Sequence, residues 1–263
     1  MLSKLIKYDL EFKMKVLVVF YSLSIIFAIL TRIFLYANTS LVVEIIGKVC
    51  SGVTISMIFN IIINNVMRMW ARFKQNLYGD ESYLTHTLPV TKQTIYASKM
   101  LSALVSLFTS FAVIGISIFI AYYSKENLEI VKNLLFQFET AYDVNTFSIL
   151  LAVFLVLLLE VINGLQCGFS GIILGHKHNY AKGGLSVLYG FLMYGASQTF
   201  VLLVTFVFGL FDKEVMTIFK KGANVGVSAI KSMIIVAIIA YVLVSVVIYF
   251  VNVKLFKKGV NVD

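Results

Sequence analysis

Long uninterrupted apolar runs dominate the chain, in place of the period-two alternation of strands or the single stripe of a soluble helix. Six of them, at about 16–37, 41–66, 100–123, 147–174, 184–211 and 232–253, are each long enough to cross a bilayer as a helix. No repeat at a period of 20–50 residues and no low-complexity linker divides them. The pattern therefore predicts an all-α membrane protein, with six transmembrane helices forming a single domain over residues 1–263.

The segments between the runs differ in length. Residues 38–40 predict a tight turn and 175–183 a short loop, whereas 67–99 predicts one extended loop carrying the sole proline, Pro89. In 124–146, Leu128, Val131, Leu135, Phe138 and Tyr142 recur at helical spacing, which predicts an amphipathic helix suited to lying on the bilayer surface; 212–231 is also long enough for a short surface helix. Residues 1–15 are helix-like as well. Lys4, Lys7, Glu11 and Lys15 fall on one face, and Leu2, Leu5, Ile6, Leu10 and Phe12 fill much of the rest, interrupted by Asp9 and Lys13. This segment is expected to be an interfacial helix that lies along the inner leaflet and turns up into the first span, a retained signal-anchor.

Composition agrees with this reading. Apolar residues make up 60% of the chain and charged ones 13%, with mean hydropathy +0.92, against about 45–50% and 25% in soluble domains. That excludes a large cytosolic catalytic domain. The net charge of +9 acquires meaning only by side. With the N-terminus inside, 14 lysines and arginines lie in inner segments and 6 in outer ones, while Arg32 and Lys48 lie within spans. Both termini are thus expected in the cytosol, and nucleic acid is not an expected partner. Cys50 and Cys167 lie in apolar runs and form no C-x-x-C pair.

Catalytic and metal signatures are missing from the sequence. There is no G-x-x-x-x-G-K-[ST] loop, no H-E-x-x-H and no G-x-S-x-G. His176 and His178 flank Lys177 in a turn with no further ligands nearby and read as solvated loop histidines. Neither a catalytic residue, a metal nor a cofactor of the chain's own is expected.

The polar residues inside the spans are few. Glu44 precedes Lys48 by one turn, and with Arg32 they predict a cluster near the outer interface, a structural brace or a substrate contact. Glu160 lies about 20 Å along the fourth span with no cation at its depth. It is followed by Gly164, Gly168, Gly171 and Gly175 on nearly the same face, a smooth stripe for close helix approach. Hydrogen-bonded burial and a functional role stand level for Glu160. Asn60, Asn64 and Arg68 form a polar line on the second span that must meet another helix or water, as an interhelical seam or a cavity wall. With Ser197 and Gln198, Asn60 and Asn64 are the candidate polar contacts of a cargo path.

The extended inner loop reads Gly79-Asp80-Glu81-Ser82-Tyr83-Leu84-Thr85-His86-Thr87-Leu88-Pro89-Val90-Thr91-Lys92, with Ser98-Lys99 leading into the third span. This resembles the loop of type-2 ATP-binding-cassette (ABC) exporter permeases, in which a Gly-x-Glu segment runs through Leu to Thr-Leu-Pro-Val/Ile-Ser/Thr-Arg/Lys and a closing Lys. About 20 residues carry the motif; the six-span plan and the amphipathic opening segment agree with it along the whole chain. The resemblance implies a coupling helix within 79–92, docked on a separate ATPase subunit that holds ATP and Mg. Glu81, Tyr83, Leu84, His86, Leu88 and Pro89 would be the coupling residues, with Pro89 ending the short helix and the apolar and aromatic side chains filling a groove of the partner.

The same resemblance implies pairing with a second permease, a copy or a paralogue, through the first and fifth spans in the cell membrane. These 263 residues hold neither an ATPase domain nor a large outer domain, unlike the fused sterol and drug half-transporters. They look more like the compact bacterial permeases that export peptides, antibiotics or lipid-like compounds, and most like exporters of amphipathic peptide toxins such as phenol-soluble modulins. The expected function is thus the transmembrane, non-catalytic subunit of an ATP-driven exporter of amphipathic peptides. The competing classes are a non-transporting immunity or assembly factor, an ABC exporter of lipid-like or small-molecule antibiotics, and an ion-coupled carrier leaning on Glu160.

Overall fold

The computed structural model describes residues 1–37, 40–216 and 227–258. Among them the chain is helical throughout and contains no strand, with six helices long and apolar enough to cross a membrane. It is an all-α, multi-pass membrane protein. Two compact units divide it, Met1–Glu129 and Ile130–Asp263, where the sequence predicts one domain.

The first unit is built on α1 (Leu2–Ala37), α2 (Leu41–Leu77) and α4 (Lys92–Tyr122), with the short α3 (Ser82–Thr87) between the last two. Ser40 caps α2 by accepting from the Val43 amide at 3.4 Å, and Thr91 caps α4 by accepting from the Thr94 amide at 3.2 Å. At about 1.5 Å per residue, α1 and α2 each exceed 50 Å, so both run well past a hydrocarbon core about 30 Å thick.

This changes two expectations. Residues 1–15 are not a separate helix turning into the span but the first turns of α1. Asp9 and Lys13 do not interrupt an apolar face; they begin the buried face itself, which continues through Leu17, Tyr21, Ser24, Ala28 and Thr31 at three- and four-residue spacing. Lys4, Lys7, Glu11 and Lys15 are on the exposed face, as the pattern predicts. The extended loop also shrinks from 67–99 to 78–91, because α2 continues to Leu77 and α4 begins at Lys92.

Packing within this unit uses small polar residues. Ser98, Ser102, Ser106, Ser110 and Ser117 form a buried row on α4. Lys13 Nζ donates to Ser102 Oγ at 3.0 Å, Tyr21 Oη and Ser110 Oγ share a hydrogen bond at 2.8 Å, and Ser24 Oγ donates to Ser117 Oγ at 2.9 Å. The register of these bonds makes α1 and α4 parallel. Thr31 meets Thr54 at 3.0 Å and Asp9 meets Arg72, so α2 is antiparallel to α1. Between the polar rungs Leu17, Tyr21, Ile61 and Ile114 form the apolar core. Short side chains let the helices approach, and each hydroxyl finds a partner where water is absent.

α5 (Lys125–Tyr142) has no buried residue. It carries the predicted stripe, with Val131 and Phe138 among its exposed apolar side chains. The second unit is built on α6 (Thr146–Gly175), α7 (Lys182–Phe211) and α9 (Val227–Lys257), with α8 (Lys213–Met216) after α7. Asn145 caps α6 by accepting from the Ser148 amide at 2.8 Å. Glu139 accepts from the Thr146 amide and hydroxyl, which holds its carboxyl below the usual carboxylate range. Here again the first and third long helices run parallel with the second antiparallel. Ser170 Oγ donates to Asn252 Oδ1 at 2.7 Å, and Asn252 Nδ2 to the Gln166 carbonyl at 3.1 Å. Cys167, Val201, Ala240, Val244 and Ile248 form its apolar core. Half of the segment 212–231, expected on the outer side, lies outside the described residues, with Lys220 and Lys221 in that half.

Candidate functional site

The site is a knot of ionic side chains at the end of the first unit where α3 joins the bundle, the end expected on the inner side. α1 supplies Asp9 and Lys13, and α2 supplies Arg72 and Asn76 one turn apart. Glu81 comes from the residue just ahead of α3, and Lys99 and Ser102 from α4. Lys99 Nζ donates to Asp9 Oδ1 at 2.7 Å and to Asn76 Oδ1 at 2.5 Å. Arg72 Nε donates to the same Asp9 oxygen at 3.4 Å, while its Nη1 donates to both Glu81 oxygens at 2.7 Å. Asn76 Nδ2 completes the ring with Glu81 Oε2 at 3.0 Å. The Arg72 guanidinium also lies over the Phe12 ring, 4.4 Å from its centroid.

These are not surface pairs. The side chains of Asp9 and Lys99 are 4% and 5% exposed, and Asp9 Oδ2 is buried with no hydrogen-bond partner. Each charge therefore depends on the others, because a buried ion is tolerated only when paired. Burial of Glu81 works against its charge, but the hydrogen bonds from Asn76 and Arg72 and the positive charges of Arg72 and Lys99 outweigh it. Its carboxyl is held below the usual carboxylate range.

Glu81 is the hinge between this knot and α3. Ser82 and Thr85 are buried on one face of α3, while Tyr83 and Leu84 are 78% and 70% exposed on the other. Leu88 closes the helix in extended backbone, φ −63° and ψ 138°, as a residue before proline does, and its side chain is exposed. His86 is not an outward anchor. Its Nε2 meets the Leu77 carbonyl at 3.1 Å, bracing α3 against the end of α2. The arrangement is a short helix with three exposed apolar side chains, rooted in a charged cluster that joins it to α1, α2 and α4.

The other expected sites resolve differently. Lys48 pairs with Glu44 at 2.6 Å along α2, but Arg32 joins neither; it donates to the Ile120 carbonyl at 3.3 Å and lies over Tyr36. Asn60 and Asn64 each donate along their own helix, to the Ser56 and Asn60 carbonyls at 2.9 and 3.0 Å, with Asn60 exposed and Asn64 half-buried. The buried seam runs one residue further on, through Ile61, Asn65, Met69 and Phe73. Asn65 Nδ2 donates to the Ser106 carbonyl at 2.8 Å and to Ser110 Oγ at 2.6 Å, and its Oδ1 accepts from Ser106 Oγ at 3.1 Å.

In the second unit the glycine stripe divides. A Cβ at Gly171 would stand 2.6 Å from the Gly190 amide nitrogen, and one at Gly175 2.7 Å from Ser186 Cα, so both are required by the crossing of α6 and α7. A Cβ at Gly190 would stand 3.9 Å from Gly168 Cα, and nothing lies within 4 Å of one at Gly164. Ser197 is buried, accepting from Asn163 Nδ2 at 3.0 Å. Gln198 does not stand alone but donates to Glu160 at 3.1 and 3.3 Å. His176 is buried and not solvated, its Nδ1 at 2.8 Å from the Ile172 carbonyl, and His178 stacks on Tyr189. No group of three metal-ligating side chains occurs among the described residues.

Asp9, Lys13, Arg72 and Asn76 are the site residues that sequence reasoning missed. Their signal was the one-turn spacing of Asp9 with Lys13 and of Arg72 with Asn76 on helices that begin or end beside apolar runs. Comparisons with family models, with curated proteins and with solved structures find no match to this chain.

Proposed function

We propose that the chain is the membrane subunit of an ATP-driven exporter of the type-2 ABC class, moving amphipathic peptides out of the cell with energy from a separate ATPase subunit. The observation that carries the reading is α3, whose Tyr83 and Leu84 are bare while its root, Glu81, is clamped by Arg72 and Asn76. An isolated loop at a membrane surface has no need for a rigid pedestal under exposed apolar side chains; a helix that transmits force from a partner does. Lys99, the closing lysine of the loop motif, is bound into the same knot and supports the reading further. Beside Asn60 the exposed flank of α2 carries Ile55, Phe59, Ile63 and Met67, which suits a cargo that exchanges lipid contacts for wall contacts.

The test is co-expression with the products of neighbouring genes. An ABC ATPase is expected to co-purify with the chain, and Leu84→Asp to abolish the association while the chain still inserts, since an aspartate unpaired in the contact is strongly unfavourable. Glu81→Ala is expected to keep the association and lose the coupling of hydrolysis to export. If no such ATPase co-purifies with the unaltered chain, the proposal fails.

A further inference from the structure

Glu160 is the sole charged residue of α6, near the middle of that helix, about 20 Å from either end. On α7 the one charge is Lys182 at the first residue, and on α9 the charges are Lys231, Lys254 and Lys257 near the ends. No ion pair reaches Glu160 among the described residues, and the side chain is only half-buried. Tyr194 Oη and Gln198 Nε2 both donate to it. The Gln198 amide is itself oriented, because Tyr241 Oη donates to its Oε1 at 2.9 Å and turns the N–H group toward the carboxyl.

Tyr194 and Gln198 hold an O–H and an N–H group within reach of this carboxyl, an arrangement that accommodates a negative charge there. A carboxylate at mid-bilayer depth calls for a positive charge, and none of the described residues of its unit is seen to supply one there. Tyr194, 37% exposed, adds an aromatic ring beside the carboxyl, which favours an organic cation further. We propose that Glu160, positioned by Tyr194 and Gln198, binds one ammonium or guanidinium group carried on an apolar body. This gives the exported cargo a positive charge and in that sense rests on the exporter reading, but binding is measured without the ATPase. Neither α3 nor the ionic knot involves Glu160, so the failure of one leaves the other standing.

The probe is radiolabelled dodecylammonium, titrated against the full chain in phosphatidylcholine nanodiscs with empty nanodiscs as blank. Saturable binding is expected, displaced by unlabelled dodecylammonium and not by dodecanol at the same concentration. Glu160→Gln, which keeps the shape, is expected to weaken binding at least tenfold, whereas Tyr194→Phe, which keeps the carboxyl, weakens it only a few-fold. Unchanged affinity in Glu160→Gln overturns the proposal, and so does equal displacement by dodecanol. The comparison of ammonium with alcohol needs no variant and can overturn the proposal even if Glu160→Gln does not insert, while Tyr194→Phe then ties the binding to this carboxyl.

Discussion

Replacing Asp9 by leucine removes the carboxylate on which the ionic knot turns. Lys99, 5% exposed, loses its 2.7 Å partner and keeps only Asn76 Oδ1. Arg72 loses a 3.4 Å contact and keeps both oxygens of Glu81. Breaking a buried pair by removing one partner costs about 3–5 kcal/mol. Because Arg72 remains paired, the loss falls on Lys99 and, through charge alone, on buried Lys13, which places Asp9→Leu at about 3 kcal/mol or more. Lys99→Met is expected to cost a similar amount by stranding Asp9, whose Oδ2 already has no hydrogen-bond partner. With both changed neither partner of the 2.7 Å pair is stranded, and although buried Lys13 still loses the attraction of Asp9, the double variant should lose clearly less than the sum of the two.

Trp70, the sole tryptophan, sits two residues from Arg72 on α2 and serves as the reporter. Its emission is followed while dodecyl sulfate is titrated into the chain held in mild detergent, for the parent, the two single variants and the double. If Asp9→Leu loses less than about 1 kcal/mol, or the double loses the sum of the singles, the knot does not act as one buried unit and the reasoning is refuted.

The remaining predictions use the same structure elsewhere. Gly171→Ala and Gly175→Ala should each lower the thermal midpoint of the purified chain, by about 1–3 kcal/mol of overpacking or more, while Gly164→Ala, facing open space, should leave it unchanged or slightly raised. Asn65→Leu should destabilise the first unit by about 1–3 kcal/mol in the Trp70 assay, because it removes three buried hydrogen bonds to Ser106 and Ser110, and Asn64→Leu should not. A spin label on Leu84→Cys should report an immobile α3 through the ordinary carboxylate range. Because the Glu81 carboxyl is held low, its anchoring is present above that range and lost only as the pH falls through the lowered value. Mobility that rises instead at or above the usual glutamate value would contradict this. Asn60→Leu and Asn64→Leu should change which amphipathic cargo stimulates the partner ATPase and leave basal hydrolysis intact.

The helices themselves were legible because the hydrophobic signal of a span is strong: all six runs became helices, and Pro89 ended α3 where it should. Their ends were not. The polar stretches at 2–15 and 67–77 carry no apolar run, yet they continue α1 and α2 because each extension is held by its neighbours through Asp9, Arg72 and Lys99. A composition rule ends a transmembrane helix where lipid ends, but the helix ends where its packing ends.

Helical phase was the harder quantity, and it decided the site. In a span surrounded by lipid the apolar residues occupy every face, so they do not say which face is inside. The polar residues must say it, and there the choice between Asn64 and Asn65 is a rotation of about 100°. What separates them is visible only across the helix pair: Asn65 faces the row of serines on α4, whereas Asn64 can satisfy its own N–H group on the preceding turn. The same reasoning applies to Asp9. Read along its own helix it breaks an apolar face, and read across to Lys99 it defines one. Serines spaced four apart on one span, Ser98 through Ser110, are the sequence signal that fixes such a phase, since a hydroxyl row inside a bilayer has to face a partner that carries polar groups at matching heights.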